Sequence, residues 1–163
     1  MITVGILTMS DKGSRGERED LSGKEIELIL KGHSAEVMAY EIIPDEAEII
    51  KSKLIEFVDK KRLDLILTTG GTGVSPRDVT PEATREVLEK ELPGMSEAMR
   101  AESLKKTPNA MISRAICGIR KQSLIINLPG SPRAVRENLA VVLPAIHHAV
   151  EKIKGSQEEC GTA

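Results

Sequence analysis

Leu63-Asp64-Leu65-Ile66-Leu67-Thr68-Thr69-Gly70-Gly71-Thr72-Gly73 runs from a short apolar segment directly into a glycine-rich turn, and Thr80-Pro81-Glu82 follows. Thr-Pro is a helix start, with Thr as N-cap and Pro at the first helical position. Strand, glycine loop and helix start is the order in which α/β proteins turn backbone N–H groups towards a phosphate. Glycines, having no Cβ, let an anion approach the main chain. No Gly-Lys-Ser/Thr follows, so this is not a Walker A loop, and the spacing is not GxGxxG either. Arg77 and Asp78 add a guanidinium and a carboxylate beside the cradle, which suggests phosphate chemistry with a divalent metal. On spacing alone Asp78 is either a helix-dipole partner or a metal-bridging carboxylate, and both readings stay open.

Outward from that stretch, a buried strand is predicted over 2–9, and further strands over 35–43, 63–67, 115–120 and 123–128. Ser22-x-x-Glu25 reads as a capping box for a helix ending near Gly32. Asp45-x-x-Glu48 reads as another, opening a helix with Ala47, Ile50, Leu54 and Phe57 at helical spacing. Further helices are expected from Thr80 to about Lys90, over 95–105 after a break at Pro93-Gly94, and over 133–153, where Pro144 should introduce a kink. The stretch 10–20 reads as a surface loop. Strands alternating with helices imply a mostly parallel sheet covered on both faces, hence an α/β fold. Ligands of such sheets bind beyond the carboxyl ends of the strands. Ser10-Asp11-Lys12, the loop 70–78 and the turn 128–133 should converge there. One domain over 1–154 is expected, followed by a flexible tail over 155–163.

The 163 residues suffice for one well-formed hydrophobic core. Tyr40 and Phe57 are the only Phe, Tyr or Trp side chains, so base stacking on aromatic platforms is excluded as a binding mode. A net charge of −2 provides no global basic field for nucleic acid or an anionic membrane. No apolar run approaches a membrane span, and Met1-Ile2-Thr3-Val4 enters a strand with no basic leader; a cytoplasmic setting is expected. Cys117 and Cys160 show no CxxC spacing, and Cys117 reads as buried packing. His33, His147 and His148 have no ligand spacing.

Asp45 is a helix cap from its local sequence, yet it also follows a strand at the expected ligand rim. Two aspartates there could hold Mg²⁺, a hard cation that takes one or two carboxylates plus phosphate oxygens. Lys12, Arg15, Arg77, Arg114, Arg120 and Arg133 are candidate phosphate clamps, against a plain reading as solvated surface charge. No Ser-His-Asp or Cys-His arrangement is visible, so covalent catalysis is not expected.

Taken together, Thr68-Thr-Gly-Gly-Thr-Gly73, Arg77-Asp-Val-Thr-Pro-Glu-Ala83, Pro93-Gly-Met-Ser-Glu-Ala-Met-Arg100, Ser113-Arg114 and Leu124-Ile-Ile-Asn-Leu-Pro-Gly-Ser-Pro132 resemble the MogA/MoaB family of molybdopterin-binding proteins. That family includes molybdopterin adenylyltransferase and a domain of gephyrin. Gly5-Ile-Leu-Thr-Met-Ser-Asp11 and Pro44-Asp45 also fit, and the resemblance covers nearly the whole chain. It implies a three-layer α/β/α fold, a homotrimer or hexamer, and Mg²⁺-dependent transfer of AMP from ATP to molybdopterin. The product would pass to a molybdenum-insertion enzyme. Carried over by position, Asp45 and Asp78 match the family's catalytic, metal-binding aspartates. Ser10, Asp11, Thr69, Gly70, Gly71, Thr72 and Gly73 match its nucleotide side. Ser113, Arg114, Pro129, Gly130, Ser131 and Pro132 match its molybdopterin side. Where the family often has Ser-Arg-Pro or Ser-Arg-Gln, this chain has Ser113-Arg114-Ala115. The alternatives are a MoaB-type binder without catalysis, a scaffold, and another nucleotide-pyrophosphate activity on the same fold.

Overall fold

Four strands of the computed structural model, which describes residues 1–157, lie parallel and end on one rim. They are β1 (Ile2–Met9), β2 (Ala35–Ile43), β3 (Leu65–Thr69) and β6 (Ser123–Leu128). β4 (Lys90–Glu91) and β5 (Cys117–Arg120) complete a six-stranded sheet of order β2-β1-β3-β6-β5-β4, in which β4–β5 and β5–β6 are antiparallel. β5 and β6 form a hairpin around Lys121-Gln122, with Lys121 in the left-handed region at φ 51. The chain leaves β1 towards β2 on one side, and β3 pairs with β1 on the other. The gap between β1 and β3 is therefore the switch point of the sheet.

The helices are α1 (Asp11–Ser14), α2 (Leu21–Leu30), α3 (Ala47–Ile55), α4 (Thr80–Val87), α5 (Pro93–Leu104) and α6 (Pro132–Ile153). A π-helical turn, Glu56–Lys60, extends α3, and a 3₁₀ turn, Pro108–Ile112, follows α5. Alternation along the central strands divides the core in two. Val4, Ile6, Leu65, Leu67, Leu124 and Ile126 pack with Ile26, Leu139, Val142 and Ile146 on one face. Leu7, Met9, Ile66 and Ile125 pack with Ile50, Leu54, Phe57 and Ala83 on the other. The expected α/β/α sandwich is thus built mainly from aliphatic side chains, with Phe57 buried in one core and Tyr40 packed half-buried against the other.

Several boundaries differ from the sequence reading, each for a physical reason. Asp20, not Ser22, caps α2, its carboxylate accepting from Gly23 N at 2.9 Å. Glu46 occupies the N-cap of α3, without a side-chain cap bond, because Asp45 is engaged elsewhere. Val79 precedes α4, and Thr80 is its first helical residue. α4 stops at Val87 instead of continuing to Lys90, since Lys90 and Glu91 pair with β5 as an edge strand that two charged residues do not advertise. Pro93 starts α5 rather than breaking the chain, in keeping with its tolerance in a first turn. β3 begins at Leu65 and β5 at Cys117, two residues later than expected in both cases. The loop after Ser10 contains α1, with the Ser10 hydroxyl accepting from Gly13 N. α6 runs through Pro144 as one helix. Cys117 is buried as expected; Cys160 and most of the expected tail lie outside the described residues.

Candidate functional site

The loops that leave β1, β2, β3 and β6 meet at the carboxyl rim and line two adjoining cavities. The first, about 270 Å³, is bounded by Ser10, Asp20, Asp45, Gly70 and Pro132, among others. The second, about 400 Å³, lies between the glycine loop and α5, the 3₁₀ turn and α6, and includes Arg100, Ser113, Pro129 and Asn138. Gly71, Asp78 and Gly130 line both.

The glycine loop is held from below. Gly70 and Gly71 have φ of 91 and 66, values that L side chains rarely adopt. A Cβ on Gly70 would lie 2.4 Å from the Met9 carbonyl oxygen, and one on Gly71 2.3 Å from Thr80 Oγ1. Thr80 donates its hydroxyl to the Gly70 carbonyl at 2.9 Å and its amide to Gly71 at 3.1 Å. Beneath, buried Asn127 donates to Thr68 and Thr84 and accepts from Ile116 N. None of the amides of Gly71, Thr72 and Gly73 donates to an acceptor among the described residues. Three successive free amides beside a cavity suit an anion.

The two aspartates are positioned by different devices. Asp45 Oδ2 accepts from Asp11 N at 3.0 Å, while Asp11 Oδ1 accepts from Asp45 N at 3.0 Å. Asp11 is fixed in turn by Arg77, whose Nε and Nη2 donate to its two oxygens at 3.0 and 2.9 Å. That guanidinium, with the Asp45 amide, holds the Asp11 carboxyl below its ordinary range. Burial pushes the Asp45 carboxyl up, and the charges of Asp11 and Asp78 push it further. Asp78 Oδ2 accepts from Ser75 N at 2.9 Å, and a Cβ on Gly73 would come within 2.9 Å of that oxygen.

These groups suit a small hard cation. Among the described residues no cluster of three or more His, Cys, Asp and Glu side chains is assembled to cage a metal by itself. Asp45 and Asp78 flank the glycine loop and repel each other, an arrangement a shared cation would relieve. Mg²⁺ commonly takes one or two carboxylates and completes its shell with water and phosphate oxygens.

The structure separates the sequence-selected residues. Ser10, Gly70 and Asp45 line the first cavity; Thr72, Gly73, Ser113 and Pro129 line the second; Pro132 lies in the first, and Gly71, Asp78 and Gly130 in both. Asp11 lines neither and stands behind Asp45. Thr69 is fully buried and donates to the Pro129 carbonyl at 2.7 Å, tying two loops together. Ser131 caps α6, accepting from Ala134 N. Arg114 turns away from both cavities towards Gly73, Asp78 and Glu82. Of the remaining cationic candidates, Arg15 pairs with Glu17, Arg133 with Glu137, and Arg120 with Asp59.

Sequence reasoning missed Asp20, Arg18 and Arg100. Asp20 is buried at the floor of the first cavity and accepts from Thr8 Oγ1 at 2.6 Å, Tyr40 Oη at 2.5 Å, Ser22 Oγ at 3.1 Å and Gly23 N. Burial acts to raise its pKa, but these donors outweigh it and the net shift is downward. Burial and the facing Asp20 carboxylate push the Tyr40 phenol up. Position before a capped helix was the only signal that could have found Asp20.

A family model described as "probable molybdopterin binding domain" matches residues 5–148. The chain belongs to this family. Within the molybdopterin-binding family it is similar to a protein of Helicobacter pylori strain J99 named molybdopterin adenylyltransferase. The two are 48% identical over 157 residues, covering 95% of this chain and 89% of that one. It is 49% identical to gephyrin of Dictyostelium discoideum across 90% of this chain, which corresponds to 22% of gephyrin. The fold matches the crystal structure of the molybdopterin biosynthesis enzyme MoaB from Thermus thermophilus. That match has a TM-score of 0.91 and 52% identity and covers 98% of this chain and all of that one. No helix among the described residues is long and apolar enough to cross a membrane.

Proposed function

We propose that this chain transfers AMP from ATP to the terminal phosphate of molybdopterin, releasing pyrophosphate, as a step of molybdenum cofactor biosynthesis. The observation that carries this reading is the shared wall of the two cavities, formed by Gly71, Asp78 and Gly130. Joining two substrates requires two pockets that open onto one point. Relatives named molybdopterin adenylyltransferase, 43–48% identical to this chain, support the choice of reaction. The nucleotide is assigned to the first cavity and the pterin to the second.

In this scheme a molybdopterin phosphate oxygen attacks the α-phosphorus in line. The bond to the bridging oxygen breaks, and pyrophosphate leaves with the electron pair. The nucleophile is already anionic, so the chain need supply no general base. Its contribution is orientation and charge neutralisation. The amides of Gly71, Thr72 and Gly73 face the transferred phosphate, and Asp45 and Asp78 would hold Mg²⁺. When bound, that ion neutralises charge on the phosphates and on departing pyrophosphate. A cytoplasmic homotrimer that hands its product to a molybdenum-insertion enzyme completes the proposal. Exposed Leu28 and Met38 are apolar groups that self-association could cover.

The test is pyrophosphate release on mixing the protein with ATP, Mg²⁺ and molybdopterin. Asp78→Asn should fold normally and lose at least about 100-fold in turnover, as expected where a group supports charge in the transition state. A wild-type rate in that variant would remove Asp78 from the reaction. Tight pterin binding by the unaltered protein without pyrophosphate would replace transfer by binding alone.

A further inference from the structure

Arg114 touches neither cavity surface, yet its hydrogen bonds converge on the loop that carries Asp78. Its Nε donates to the Gly73 carbonyl at 2.7 Å and its Nη2 to the Asp78 carbonyl at 2.7 Å, while its backbone amide donates to Thr72 at 2.9 Å. Glu82, from the first turn of α4, pairs with Nη1 and fixes the guanidinium from the far side. One residue therefore holds both ends of the segment 73–78. Within that segment the Ser75 amide and the Asp78 carboxylate close a small turn that aims the carboxylate at the seam.

The strap that carries Arg114 is itself clamped. Arg100, from α5, donates to the Ala115 carbonyl at 2.8 Å and more weakly to Ser113. Arg100 and Ser113 line the second cavity. A continuous chain of contacts thus leads from the wall of that cavity, through the strap 113–115, to the backbone of Asp78.

Resting on the adenylyl-transfer reading, we propose that Arg114 is a positioning residue that sets the Asp78 carboxylate at the seam and ties it to the wall of the second cavity. It is not a phosphate clamp. A planar guanidinium is suited to this, because it reaches two carbonyls and a carboxylate at once, and an ammonium has no such fork. Loss of a group that orients an ion-binding carboxylate from behind costs about 10- to 100-fold in activity or metal affinity.

Three measurements on Arg114→Gln and Arg114→Lys test this. Steady-state pyrophosphate release should show kcat lowered about 10- to 100-fold with the KM for molybdopterin within about twofold of the unaltered protein. A raised KM with unchanged kcat would mean that Arg114 grips substrate, and the proposal fails. In single turnovers with enzyme in excess, Arg114→Gln should cost less than about twofold when added to Asp78→Asn, because a residue acting through Asp78 has nothing left to act on. Multiplying losses would overturn it. Amide hydrogen exchange of the protein alone should show lost protection confined to 74–79, where the Ser75 and Asp78 amides are bonded. Unchanged exchange there, or loss spread over the whole sheet, would reject the positioning role. Exchange needs no turnover, so an unaltered protein that releases no pyrophosphate would defeat the adenylyl-transfer reading while leaving the role of Arg114 decided.

Discussion

Replacing Asp20 by alanine removes the carboxylate that joins β1, β2 and the start of α2. The N-cap of α2 disappears, which costs about 1 kcal/mol. The hydroxyls of Thr8 and Tyr40, at 2.6 and 2.5 Å from Oδ2, and of Ser22, at 3.1 Å from Oδ1, lose their acceptor. Each stranded donor costs about 1 kcal/mol, the low end of the range because the open cavity admits water. The total is about 4 kcal/mol, which in a domain of this size lowers the melting temperature by roughly 8–16 °C. Asp20→Asn keeps an oxygen for Gly23 N but turns an amide towards two hydroxyl donors, so about half the loss is expected. Acid removes this stabilisation. The Asp20 pKa is depressed on folding, so its stabilisation is present above the unfolded value of 3.8 and is lost as pH falls through the lower folded value. The gap between the unaltered protein and Asp20→Asn should therefore close in that acid window. Thermal melts from pH 7 to pH 2 measure all of this. A melting temperature for Asp20→Ala within about 2 °C of the unaltered protein would refute the reasoning.

Asp45 should behave in the opposite sense. Its carboxyl is pushed up on folding, so it weakens the fold at neutral pH, and that penalty disappears below the unfolded pKa. Asp45→Asn is expected to melt a few degrees higher at pH 7 with no gain in acid, while adenylylation is lost; an unchanged melt at pH 7 would contradict the penalty assigned to burial and to the neighbouring carboxylates. Gly70→Ala places a Cβ against the Met9 carbonyl at positive φ and should cost at least about 2 kcal/mol in urea unfolding. Gly94→Ala, in open space within α5, should stabilise by up to about 1 kcal/mol, so the pair separates a conformational requirement from a general preference for alanine.

The layers of the fold were legible because the strands are aliphatic runs bounded by glycine, proline and charge. Leu65, Ile66 and Leu67 need only alternate faces to supply both cores. The rim was legible for the same reason, since parallel strands deliver their following loops to one end. Asp45 shows where local reading stops. Its Pro-Asp-x-x-Glu pattern is a sound capping box, but the residue is drawn off by a reciprocal pair with Asp11, a partner 34 positions earlier. Thr80 is similar: its hydroxyl braces Gly70 across the loop rather than the helix it opens. The contacts of Asp20 and Arg114 were not legible, because three or four elements bring them to one carboxylate or guanidinium. β4 was invisible because two charged residues become a strand only when β5 is there to pair with them.

The wall formed by Gly71, Asp78 and Gly130 has a consequence for whatever leaves the site. A molecule built from one group in each cavity is anchored at both ends, so if one end lets go it stays within reach and rebinds before it can escape. In the proposed reaction the joined product is therefore retained longer than either substrate.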